Sequence, residues 1–243
     1  MKDSIDDGDD GMRTSPLDTA RRFIAEHHPN CLLAVLGGSA SRNDHDPLSD
    51  LDIVVVTSTE PDSFRRIHTY GDWLIECMML SRTGYREAFK IGLQDANPTL
   101  QRLIAEGVVL TAKKTGLKIV EVAKNDLSYG PLPWSTSERD LARYMLSEKI
   151  VDLQGEISRC EKWFVIGKMM ILASEFLLRT NQCWIGEGKH LFRILQERMP
   201  DMAAELEGCL EDVYARNDHA RLAAFCERIM EPYGGLLIEG YEG

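Results

Sequence analysis

The stretch Leu36-Gly37-Gly38-Ser39-Ala40-Ser41-Arg42-Asn43-Asp44-His45-Asp46-Pro47-Leu48-Ser49-Asp50-Leu51-Asp52-Ile53-Val54-Val55-Val56 constrains the fold more than any other part of the chain. It reads as a buried strand, a tight Gly-Ser turn, a loop, and a second strand opened by two carboxylates. Side chains alternate along a strand, so Asp50 and Asp52 point the same way with Cα atoms about 7 Å apart. Neighbouring carboxylates repel unless a cation neutralises them. Mg²⁺ suits such a pair because it is hard, prefers oxygen and keeps positions open for phosphate oxygens. Gly38 removes a Cβ where backbone must approach a phosphate. Ser39 offers a hydroxyl and the first amides of a short helix as an anion seat.

A third acid, Glu76, sits inside Trp73-Leu74-Ile75-Glu76-Cys77-Met78-Met79-Leu80, where every neighbour is apolar. A carboxylate buried there needs a cation or a donor. The competing reading is a Glu on the exposed face of an edge strand, or one paired with Arg65 or Arg66 across a hairpin. His45 and His190 are isolated histidines, and neither lies in a ligand-spaced cluster. No His-Glu-x-x-His spacing or Ser-His-Asp order supports a hydrolase.

The pattern of elements is α/β followed by all-α. Residues 1–13 are rich in Asp and Gly and read as a loose tail. Ser15-Pro16 supplies an N-cap and a first-turn proline for a helix to about His28. Strands are expected over Cys31–Leu36, Asp50–Val56, Phe64–Tyr70 and Trp73–Leu80, the last two joined at Gly71-Asp72 as a hairpin. Helices over Arg82–Leu93, Pro98–Glu106 and Thr115–Leu127 follow, with an edge strand near 107–111. Tyr129-Gly130-Pro131-Leu132-Pro133-Trp134 breaks the pattern and marks a domain boundary, giving 14–130 and 131–243. Beyond it, Ser135-Thr136-Ser137-Glu138 has capping-box spacing. Leu146, Ile150, Leu153 and Ile157 form a helical stripe. A central helix over Trp163–Arg179 and three more near 189–198, 201–216 and 220–230 complete a bundle.

With 243 residues, 44% of them hydrophobic, the chain can bury a sizeable core. A net charge of -11 argues against general nucleic-acid binding, which wants a basic face. The start lacks an apolar h-region, and no run approaches the length of a membrane span. The six cysteines include no Cys-x-x-Cys pair, so free thiols and a cytoplasmic location are expected.

Gly38-Ser39 followed by Asp50-Leu51-Asp52 resembles the nucleotidyltransferase superfamily, which includes DNA polymerase beta and the antibiotic nucleotidyltransferases. Its pattern is Gly-Ser, a gap of some ten residues, and Asp-x-Asp/Glu on a strand. The resemblance implies a small mixed β-sheet domain followed by a helical C-terminal region, as in the aminoglycoside-modifying members. It implies transfer of a nucleoside monophosphate from ATP or another NTP to a hydroxyl, with release of pyrophosphate. Asp50 and Asp52 would then hold Mg²⁺, and Glu76 would complete the metal site or act as general base. Gly38, Ser39 and Lys189 would seat the phosphates, with Arg42 nearby. Ser49 would help hold them or simply cap the turn before the strand. Lys168 and Arg193 are further basic residues of the helical half that could reach the triphosphate. Trp184-Ile185-Gly186-Glu187-Gly188-Lys189 has glycines before a helix start but is not a Walker A sequence. The expected cleft lies between the domains, and the acceptor is a small hydroxylated molecule, such as a cationic aminoglycoside drawn by the negative charge. Two rivals are an antitoxin-type, protein-modifying minimal nucleotidyltransferase, which is usually a short single domain, and a nucleotide-binding regulator without turnover.

Overall fold

The computed structural model describes residues 13–58 and 62–241. Most of the tail read over 1–13 therefore lies outside the described residues. Arg13 does not: it is half-buried, and its guanidinium sits 4.2 Å from the centroid of the Trp73 ring. The helix α1 (Pro16–His27) follows, with the Ser15 hydroxyl accepting from the Asp18 amide at its start.

Strands β1 (Leu33–Leu36), β2 (Leu51–Val56), β3 (Phe64–Tyr70) and β4 (Trp73–Leu80) come next, with the one-turn helix α2 (Gly38–Ser41) between β1 and β2. Helices α3 (Gly84–Gln94) and α4 (Thr99–Glu106), strand β5 (Val108–Ala112) and helix α5 (Lys114–Tyr129) close this part. The five strands form one mixed sheet in the order β3-β4-β2-β1-β5. Only β2 and β4 run parallel; β1 pairs antiparallel with β2 and β5, and β3 with β4. The hairpin partner β3 takes the edge, so β4 returns alongside β2.

The Ile53-Val54-Val55-Val56 run is apolar on both faces because both faces are covered. Ile53 and Val55 pack with Phe23 and Ile24 of α1. Val54 and Val56 pack with Phe89, Leu100, Ile104 and Ile119 of the helices on the opposite face. Asp52 shares this second face with Val54 and Val56 and is half-buried at its end.

The chain divides into two compact units: one takes in residues up to Lys90 and Thr99–Ser128, the other Ile91–Pro98 and Tyr129 onward. Residues 91–98, inside the 14–130 stretch, thus group with the helical part. In that part α6 (Thr136–Gln154), α7 (Arg159–Thr180), α8 (Lys189–Arg198), α9 (Pro200–Arg216) and α10 (Ala220–Met230) surround one apolar core. The expected box at Ser135–Glu138 forms. A second, Ser158–Glu161, starts α7 four residues ahead of Trp163. It explains why Ile157 leaves the stripe: α6 stops at Gly155, a poor helix former, and a new cap begins three residues later. Leu146, Ile150 and Leu153 remain fully buried.

Candidate functional site

Gly38 stands at φ 65°, in the left-handed region that favours glycine. What occupies the place of its missing Cβ is the Asp52 carboxylate: a Cβ there would overlap Asp52 Oδ2. The absent side chain therefore makes room for the strand carboxylate rather than for a phosphate alone. The Gly37 amide donates to the Asp52 carbonyl at 2.8 Å, fixing the turn to the strand. Ser39 is half-buried in α2, and its carbonyl accepts from the amides of Arg42 and Asp44.

Glu76 lies directly across from Asp52 in the parallel β2–β4 pairing. Adjacent strands are about 4.8 Å apart, so the two side chains leave the same face as neighbours. Burial, and then the negative charges of Asp50 and Glu76, push the Asp52 carboxyl up to about 6, against the pull of Arg65 and Arg42. Glu76 pairs with Arg65 Nη1 at 3.2 Å, the cross-hairpin partner considered from the sequence. Among the described residues, no three His, Cys, Asp or Glu side chains are gathered so as to hold a metal ion. The donor chemistry nevertheless fits a hard divalent cation: the candidate ligands are all carboxylate oxygens, and Asp52 lies half-buried under the negative charges of Asp50 and Glu76.

The Ser49 hydroxyl donates to Asp46 Oδ1 at 3.0 Å and accepts from the Asp46 amide at 2.9 Å, closing the turn before β2. Arg42 is exposed and near enough to draw the Asp52 carboxyl down. His45 stacks edge-on against Trp73 with ring centroids 5.7 Å apart. Lys189 opens α8 behind Gly188 at φ 55°, and with Lys168 and Arg193 it is exposed on the second unit. All six cysteines are free thiols. Among the described residues, no helix is long and apolar enough to cross a membrane.

The adjacent parallel strands β2 and β4 thus carry facing carboxylates beside the glycine turn at Gly38. The nucleotidyltransferase domain model matches residues 17–150, more than half of the chain, and the protein belongs to that family. No curated protein sequence matches the chain. A nucleotidyltransferase-like protein from Exiguobacterium sibiricum shares the fold, with a TM-score of 0.50 at 10% identity over 89% of this chain and 74% of that one. The chain is thus a nucleotidyltransferase in fold and family, with an NTP as the implied co-substrate.

Proposed function

We propose that this nucleotidyltransferase moves a nucleoside monophosphate, AMP from ATP in the first instance, onto a hydroxyl of a small molecule in a Mg²⁺-dependent reaction. The observation that carries the reading is Asp52: its carboxylate fills the space left by Gly38 and faces Glu76 across the parallel pair. Asp50 and Asp52 would hold the metal, and Gly38 and Ser39 the adjacent phosphates, with Arg42 countering charge at the loop. When bound, a divalent cation neutralises the triphosphate and aligns it for in-line displacement. Glu76, steadied by Arg65, accepts the proton of the acceptor hydroxyl. The hydroxyl oxygen forms a bond to the α-phosphorus, the bond to the bridging oxygen breaks, and pyrophosphate leaves. An aminoglycoside-like acceptor is one candidate, favoured by the charge of -11.

The test is pyrophosphate release from each of the four NTPs with Mg²⁺, across a panel of hydroxylated cations and cell extracts. The reading expects metal-dependent release with at least one acceptor fraction, and its loss in Asp52→Asn. Release that is indifferent to metal or to Asp52 would overturn it.

A further inference from the structure

We infer that Arg13 is a positioning residue for the carboxylates, acting as a clamp between the starts of the two strands that bear them. Its Nη1 donates to the Ser49 carbonyl at 3.1 Å and its Nε to the Asp72 carbonyl at 3.1 Å. Ser49 immediately precedes Asp50, and Asp72 immediately precedes β4, which carries Glu76. Since β2 and β4 are parallel with Leu51 opposite Ile75, both carbonyls lie at the same end of the sheet. One planar guanidinium therefore ties both strand entries together, a geometry that two fixed N–H donors suit and a single ammonium does not.

The clamp is itself held. The guanidinium lies over the face of Trp73, at 4.2 Å from the ring centroid, and the Trp73 indole N–H donates to the Thr14 carbonyl at 2.8 Å. Trp73 is 1% exposed, so this platform is fixed by the core. The strand hydrogen bonds begin only at Leu51 and Trp73. The Asp50 backbone lies outside them, and Arg13 supplies the restraint at its upstream peptide. Arg13 also precedes residues 17–150, the part matched by the family model, so the restraint comes from outside that core.

The functional half of this assignment rests on the proposed role of the carboxylates; the structural half does not. The experiment uses the full chain with Arg13→Met, which keeps an unbranched apolar side chain and removes the fork, and with Arg13→Lys. Amide hydrogen exchange reads the clamp directly. In Arg13→Met, protection at the first residues of β2 and β4 falls about tenfold while β1 and α4 are unchanged, since local opening free energies differ between segments. Mn²⁺ affinity, measured by calorimetry, falls about 10–100-fold, as for other residues that orient ligands without touching the metal. Arg13→Lys restores only part of both losses. Unchanged protection at the two strand starts, or a uniform loss across the sheet, overturns the clamp. A wild-type chain that binds neither Mn²⁺ nor any NTP would refute the proposed function instead, and the exchange comparison would still decide the role of Arg13.

Discussion

Replacing Gly38 with alanine should separate a backbone cost from a catalytic one. At φ 65° an alanine pays the left-handed penalty, about 1–2 kcal/mol. For a chain of this size that lowers the melting midpoint by about 2–8 °C. The added Cβ also collides with Asp52 Oδ2, the free end of a side chain that can rotate away. The collision is therefore relieved by moving the carboxylate, not by unfolding the turn, and the penalty falls on chemistry. A displacement of about 1 Å at such a group costs about 10²-fold in rate. Gly71 is the matched control: its φ is 57°, and nothing lies within 4 Å of the Cβ an alanine would add. Gly71→Ala should lose similar stability and keep its turnover. Thermal melts beside NTP turnover, at a temperature where both variants are folded, give the comparison. Equal turnover in the two variants would refute the claim that Gly38 exists to accommodate Asp52.

Three further outcomes are expected. In chelator, Asp52→Asn should be more stable than wild type, by about 1–3 kcal/mol at pH 8. The folded-state pKa of Asp52 is raised to about 6, so its charged form is the disfavoured one. Wild type therefore loses stability as pH climbs from about 4 through 6, and the variant's advantage fades toward acid; an advantage constant with pH would contradict this. Ser158→Ala removes the hydroxyl that caps α7 and should cost about 1 kcal/mol in urea unfolding. Glu175, on α7, has its carboxyl raised by burial despite Lys168, so Glu175→Gln should raise the melting midpoint at pH 8 and do so less at pH 5.

Local spacing was informative where the chemistry is local. Gly38-Ser39 falls on one turn and Asp52 on the strand that follows, with Asp50 just before that strand begins rather than on it, and Glu76 stood out as an acid among apolar neighbours because a buried charge needs a reason. Capping residues placed α1 and α6 for the same reason, since a hydroxyl and an amide three residues apart meet within one turn. What was hidden depends on pairing across the chain. That β4 inserts beside β2, bringing Glu76 opposite Asp52, is set by long-range strand order rather than by either strand's pattern. Arg13 was hidden in the same way: its partners are 36 and 59 residues away, and its upstream neighbours suggest only a loose tail. Ser49 was ambiguous in sequence because a hydroxyl next to Asp46 can serve the turn as readily as a ligand.

The most direct test of the carboxylate site is calorimetric binding of the four NTPs, with and without Mg²⁺, to wild type and to Asp50→Ala/Asp52→Ala. The account predicts that wild type binds at least one NTP only when the metal is present, and that the folded double variant binds none. Binding by the double variant equal to wild type, or no binding by wild type with either Mg²⁺ or Mn²⁺, would contradict it.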